Sequence, residues 1–410
     1  MDDHEASARH RVLIYSHDTF GLGHLRRCRA IAHALVENDK RLTVLILSGS
    51  PIIGSFDFRA RVDFVRIPGV IKLRDGAYTS LGLHIDTEQT LAMRASIIHH
   101  TAAIFDPDIF IVDKEPLGLQ GEVAETLAML KERGTRLVLG LRDVLDDPAS
   151  LAQEWARKNV LPALRDLYDE IWIYGLARVC DPIAEIDLPA AVRRKIAFTG
   201  YLPRSLPARV PATVMAEPTD DPFILVTTGG GGDGETLVDW VLRAYEGSTP
   251  PPLRALVVLG PFMAPDVKAG FQARIERLAR IEAVVFDAYI EHLVAAAAGV
   301  VAMGGYNTFC EILSFDKRAL IVPRRVPRLE QFIRASRARD LGLVAMLDDA
   351  ARTDAEIMAT ALRRLPHQPR PSERVIPGLL DGFETVNRLV ARDLELRAGD
   401  DAPVAIAGPG

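Results

Sequence analysis

The sequence predicts two doubly wound α/β domains of similar length that face each other across a cleft. Three observations carry that prediction. Short apolar runs rich in β-branched residues recur along the chain, each followed by a stretch with helical spacing, which is how parallel strands buried on both faces read. The pattern stops between Thr199 and Pro222, where Pro203, Pro207, Pro211, Pro218 and Pro222 interrupt it, and then resumes. Three glycine-rich turns each follow a strand and open a helix, and ligands of such sheets bind at the carboxyl ends of strands.

In the first half the strands are expected at Val12 to Tyr15, Leu42 to Leu47, Val62 to Ile67, Ile109 to Val112, Leu137 to Leu139 and Ile171 to Tyr174. In the second they are expected at Phe223 to Val226, Ala255 to Leu259, Ala283 to Phe286, Val300 to Ala302, Ala319 to Val322 and Leu343 to Leu347. The division this implies is a first domain over 1–200, a linker over 201–221, a second domain over 222–396 and a loose tail over 397–410.

Composition narrows the function. With 48% apolar and 25% charged residues the 410-residue chain is an ordinary globular one. A net charge of -6 argues against a general polyanion binder, so nucleic acid is not an expected partner. Cys28, Cys180 and Cys310 lack the paired spacing of a zinc site or disulfide framework and suit a reducing, cytoplasmic setting. The apolar run near the N-terminus is far too short to span a bilayer.

The first turn, Ser16 to His24, contains Gly21-Leu22-Gly23-His24 and opens a helix beginning Leu25-Arg26-Arg27. A strand, a glycine turn and a helix N-terminus together favour an anion, because free N–H groups and the helix dipole point into the turn. The second turn, Thr227-Thr228-Gly229-Gly230-Gly231-Gly232-Asp233-Gly234, reads as a phosphate cradle; no Lys-Ser or Lys-Thr follows, so it is not an ATPase P-loop. The third is Gly304-Gly305-Tyr306-Asn307-Thr308, with Glu311 about one turn on. If Asn307 or Thr308 caps that helix, its N–H groups can hold a diphosphate and Glu311 can accept from ribose hydroxyls.

The ordered set of glycine-His loop, glycine-rich loop, Gly-Gly-x-Asn-Thr-x-x-x-Glu and a proline followed by Glu330-Gln331 resembles GT-B glycosyltransferases of family 28. That group includes the bacterial N-acetylglucosaminyltransferase that makes lipid II. Gly-Leu-Gly-His-Leu-Arg-Arg-Cys is also similar to the UDP-sugar hydrolase of pseudaminic acid biosynthesis, and the overall pattern looks closest to the bacterial predicted glycosyltransferase group. The resemblance implies a nucleotide-sugar-dependent enzyme of hexosyltransferase type with a GT-B fold. It places Gly21, Gly23 and His24 at the diphosphate and reacting sugar, and Gly229, Gly230 and Gly231, with Thr228, near the donor phosphates. It places Arg204 on the interdomain turn against the donor, and the Ile290 backbone against the base. Gly304, Gly305, Tyr306, Asn307, Thr308 and Glu311 fall on the diphosphate turn and ribose, and Glu330 and Gln331 on the donor sugar. The family's Ser-Gln-Gly after the glycines is here Gly-Gly-Asp-Gly, and its paired glutamines are here Glu330-Gln331.

His24 is the expected base, since an imidazole needs the smallest pKa adjustment; Asp18 and Asp113 are the alternatives. Asp106-Pro107-Asp108 is formally an Asp-x-Asp but sits at a proline turn before a strand, where Asp is expected anyway, so no metal and no cofactor are expected. The expected partners are a UDP-linked donor and an envelope or polysaccharide-type acceptor, which the resemblance to family relatives that work on lipid-linked sugars extends to a lipid-linked one. Pro51 to Arg59, with Arg61, Arg66, Lys72 and Arg74 after it, offers an apolar-basic edge for peripheral contact at the inner membrane face. Hydrolysis of the same donor, or nucleotide-sugar sensing without catalysis, are the competing functions.

Overall fold

A computed structural model describes residues 9–17, 23–72, 78–206, 221–230, 232–348 and 354–400. The first half carries strands β1 (His10–Ser16), β2 (Leu42–Ser48), β3 (Val62–Arg66), β4 (Val70–Lys72), β5 (Tyr78–Ser80), β6 (Ile109–Asp113), β7 (Arg136–Arg142), β8 (Glu170–Tyr174) and β9 (Ile196–Phe198). Its helices are α1 (Gly23–Asn38), α2 (Thr87–Phe105), α3 (Ala124–Glu132), α4 (Pro148–Arg157) and two short ones, α5 (Val160–Pro162) and α6 (Ala190–Arg193). Seven strands form one parallel sheet in the order β3-β2-β1-β6-β7-β8-β9. β4 and β5 form a separate antiparallel pair.

The second half repeats the plan with β10 (Phe223–Thr227), β11 (Arg254–Val258), β12 (Ile281–Val284), β13 (Gly299–Ala302), β14 (Ala319–Ile321) and β15 (Ala345–Met346). Its helices are α7 (Glu235–Glu246), α8 (Pro265–Ile275), α9 (Ile290–Ala296), α10 (Tyr306–Ser314), α11 (Glu330–Asp340), α12 (Ala355–Arg364) and α13 (Gly382–Asp400). The six strands are parallel in the order β12-β11-β10-β13-β14-β15.

Central strands read as continuous apolar runs because both faces are covered. Ile14 lies level with Ile46 and Ile111, and Leu225 with Leu256 and Val300. α1 closes one face with Leu25, Cys28, Ile31, Ala32, Leu35 and Val36, a stripe at helical spacing.

Three differences from the sequence reading have physical causes. β12 ends at Val284: Val285 O still accepts from Gly260 N–H at 2.9 Å, but Val285 and Phe286 are both exposed where the sheet stops. β9 and the β4–β5 pair are three-residue strands, too short to show a period. The last helix belongs to neither the second half nor a tail: α13 runs through the boundary expected at 396 and packs on α1, with Val386, Leu389, Val390 and Leu394 joining the core. Arg392 on it donates to Glu170 of β8. Where the chain returns, Tyr201 N–H donates to Leu379 O at 2.8 Å, and Gly382 N–H to Tyr201 O at 3.2 Å. The two passages lie so close that a Cβ on Gly200 would sit 2.5 Å from Gly378 O.

Candidate functional site

Both sheets reverse strand order at one place, between β1 and β6 in the first and between β10 and β13 in the second. Such reversals open a crevice above the strand ends. The start of α1 and the turns after β10 and β13 meet there, around a cleft of about 370 Å³.

On the first side stands His24, in the opening turn of α1, with Asp113 at the last position of β6. His24 Nδ1 is 2.5 Å from Asp113 Oδ2. Arg27, one helical turn after His24, donates to Asp113 Oδ1 from Nε at 2.9 Å and from Nη2 at 2.7 Å. A carboxylate accepts from Nδ1–H, so this contact fixes the imidazole with Nε2 unprotonated and free as a base. Burial pulls the His24 pKa down to about 4, against the opposing pull of Asp113. Burial pushes the Asp113 carboxyl up, but Arg27 and His24 override it and hold the group ionised well below the usual range. His17, buried with a depressed pKa from desolvation, stands edge-on to His24 at 5.8 Å between ring centroids.

On the second side, Gly304 takes φ +81, and a Cβ there would lie 2.8 Å from Ile321 Cγ2. The cap of α10 is Gly305, not Asn307 or Thr308. Asn307 instead accepts from Arg204 Nη2 at 2.8 Å and donates from Nδ2 to Gly23 O at 3.0 Å, tying the two glycine turns together. The Tyr306 ring is buried between the Arg27 and Arg334 guanidiniums, 5.5 and 5.8 Å from its centroid. Arg334 donates to Gly304 O at 2.8 Å and forks onto Asp143, just after β7, at 2.8 and 2.6 Å.

Of the residues expected at the site, Gly23, His24, Thr228, Gly229, Gly230, Ile290, Gly305, Tyr306, Asn307, Thr308 and Gln331 line the cleft. Asp113, Arg204, Gly304, Glu311 and Glu330 stand behind its wall and hold lining residues in place. Glu311 Oε1 accepts from Arg26 Nη2 at 2.5 Å, and its Oε2 is buried without a partner among the described residues. Burial raises its pKa, with Arg26 opposing. Glu330 accepts from Arg142 of the first half and from Arg324. Asp18, Gly21 and Gly231 lie outside the described residues.

Arg26, Arg142 and Arg324 also line the cleft, and Arg142 and Arg324 drew no notice in the sequence. Arg142 gave no signal because Glu330, which defines it, lies 188 positions along the chain; Arg324 is set by Asp233 of the second glycine turn as well as by nearby Glu330. The buried Nε of Arg142 and Nη1 of Arg324 have no partner among the described residues, which makes them donors for a bound oxygen.

Two other segments singled out in the sequence have the following surroundings. After Pro51, Ile53 and Phe56 pack on Leu25, Arg61 donates to Val36 O and Leu42 O, Arg59 pairs with Glu37, and Arg66 is exposed. Lys72's side chain and Arg74 lie outside what is described. Asp106 and Asp108 both bind Arg11, as a turn would. Among the described residues no group of three or more His, Cys, Asp or Glu is placed to hold a metal, and no helix is long and apolar enough to cross a membrane.

No protein-family model and no curated protein matches the chain. Solved structures do. Phytolacca americana UGT2, complexed with UDP-2-fluoroglucose and pterostilbene, superposes with TM-score 0.63 at 15% identity over 94% of this chain and 100% of that one. The glycosyltransferase VinC, in complex with dTDP, gives 0.58 at 16% over 95% and 100%. Acinetobacter baumannii MurG gives 0.57 at 12% over 94% and 99%. The fold is GT-B. The likeness covers 94–95% of this chain, and the cleft described above lies between the two sheets of that fold.

Proposed function

We propose that this GT-B protein moves a sugar from a nucleotide-diphosphate donor, a UDP-sugar, to a hydroxyl acceptor of envelope or exopolysaccharide type, without a metal ion and in the cytoplasm. The observation that carries the reading is the His24–Asp113 pair, with Nε2 free, placed across one cleft from the N-terminus of α10. The UDP-sugar and dTDP held by similarly folded proteins support the donor class.

In this reading the acceptor O–H gives its proton to His24 Nε2 while its oxygen attacks the anomeric carbon. The bond from that carbon to the diphosphate breaks, and its electron pair leaves on the nucleotide. The N–H groups opening α10 and the unpartnered N–H groups of Arg142 and Arg324 meet the developing charge. Asp113 stabilises the imidazolium that forms. Gln331 faces the sugar and the Ile290 backbone the base, while Glu311 behind the wall holds Arg26 at the cleft.

His24→Ala tests it. Transfer is expected to fall by roughly 10²–10⁴-fold, the usual contribution of a general base, while UDP still raises the melting temperature. A thermal-shift screen of UDP, dTDP and GDP fixes the base. Rapid release of UDP from a UDP-sugar without any acceptor would make the protein a hydrolase, and an unchanged turnover in His24→Ala would remove the base from this mechanism.

A further inference from the structure

Glu311 lies on α10, the helix whose opening N–H groups meet the diphosphate in the transfer reading, so its carboxylate is the group expected to accept from a pentose hydroxyl. It is already engaged from the other half of the molecule. Arg26 of α1 donates from a single nitrogen, Nη2, to Glu311 Oε1 at 2.5 Å and to Glu291 Oε1 of α9 at 2.7 Å. Glu311 is 0% exposed, whereas Arg26, bonded to it, lines the cleft. The other oxygen, Oε2, is buried and has no partner among the described residues. A hydroxyl entering the cleft therefore meets the guanidinium and not the carboxylate.

The carboxylates that do line the cleft are also taken. Asp287 Oδ1 accepts from Tyr289 N–H at 2.7 Å, and its Oδ2 lies 3.8 Å from His292 Nε2. Asp233, on the second glycine turn, pairs with Arg324, which the transfer reading gives to the diphosphate. A site rejects a ligand that lacks one hydroxyl when the loss leaves a buried polar group of the protein unpaired. Loss of a 2′-hydroxyl orphans nothing here, because Arg26 keeps both glutamates and both glutamates keep Arg26.

We infer that Arg26, by occupying Glu311, makes the nucleotide site indifferent to the 2′-hydroxyl, so that donors built on ribose and on 2-deoxyribose diphosphates are taken alike. The inference rests on the nucleotide-diphosphate donor proposed above. It makes a first-half arginine the residue that sets pentose specificity in a site whose other nucleoside contacts come from the second half.

Calorimetric titration of the full chain with UDP and with 2′-deoxy-UDP, which differ at that hydroxyl alone, tests it. The wild type is expected to bind the two with Kd values within about threefold of each other. Arg26→Ala uncovers Glu311 and is expected to prefer UDP by about tenfold or more, because the freed carboxylate then accepts from the hydroxyl. Arg26→Lys, which keeps a cation on Glu311, is expected to return the ratio to that of the wild type. A bridge with a structural role alone would change both affinities in Arg26→Ala and leave their ratio as it was. Glu311→Gln keeps an oxygen for Arg26 and is expected to move both Kd values together, which keeps the test open should Arg26→Ala fail to fold. A wild-type preference for UDP beyond about threefold overturns the inference, as does a ratio altered by Glu311→Gln or a folded Arg26→Ala that stays indifferent. Binding of neither nucleotide by the wild type is instead the failure of the donor reading itself.

Discussion

At the scale of single residues, the chemistry depends on a pair that lies 89 positions apart. His24 could be found in the sequence because a histidine closing a glycine turn at a helix start has few other duties. Asp113 could be noted only as a carboxylate at a strand end. Their contact needs β1 and β6 side by side, and nothing local announces that. Asp113→Asn is expected to lower kcat/KM by about 10²–10⁴-fold, since the amide can hold the wrong tautomer and cannot stabilise the imidazolium. The pH profile gives the sign. His24 is neutral and able to accept a proton above about pH 4 and protonated below it, so kcat/KM of the wild type falls as pH drops through about 4. Asp113 raises the His24 pKa and Arg27 lowers it; removing the carboxylate therefore moves the acid limb of Asp113→Asn to lower pH. A limb that moves upward, or stays in place, would contradict the pairing.

At the scale of elements, most strands were legible because buried parallel strands leave unbroken apolar runs, and most helices because their stripes keep a 3.6-residue period. What was not legible were the short pieces and the ends. Val285 and Phe286 extend an apolar run beyond the last ladder position, and only the structure shows that Phe286 lines the cleft. The third turn was recognised from its two glycines, and the structure separates them: Gly304 supplies the left-handed backbone and Gly305 the cap. Gly304→Ala forces a side chain into φ +81 against Ile321. The expected cost is about 1–3 kcal/mol, read as a lower urea midpoint, together with weaker UDP binding because the turn opens α10. Unchanged stability and binding would mean that the turn tolerates a Cβ and contributes less geometry than described.

At the scale of the whole molecule, the two halves are clamped by ions that sequence reading passes over, since an Arg and an Asp far apart in the chain carry no mark of each other. Arg334 and Asp143 are both buried, and Tyr201 adds a hydroxyl donor to Asp143 at 2.9 Å. Asp143→Ala leaves a buried guanidinium without its carboxylate, which costs about 3–5 kcal/mol. Replacing both partners with apolar residues of similar size restores most of that loss, because the penalty comes from the orphaned charge. Thermal melts of the single and double variants decide the matter, and a single variant as stable as wild type would show that water reaches the pair. The placement of α13 was hidden for a related reason: its apolar stripe is the same whichever half it packs on.

That crossing helix has a mechanical consequence. The chain passes between the halves twice, and the two passages run side by side, bonded through Tyr201, Leu379 and Gly382. Two neighbouring attachments act as a hinge with a single pin. Sliding and twisting of one half over the other would tear those bonds, whereas a swing about the line through them would not. A swing about that line would carry His24 and Thr308 apart along one arc, like the edges of an opening book, and it would first have to break the Asn307–Gly23 and Arg334–Asp143 bonds that hold the cleft shut.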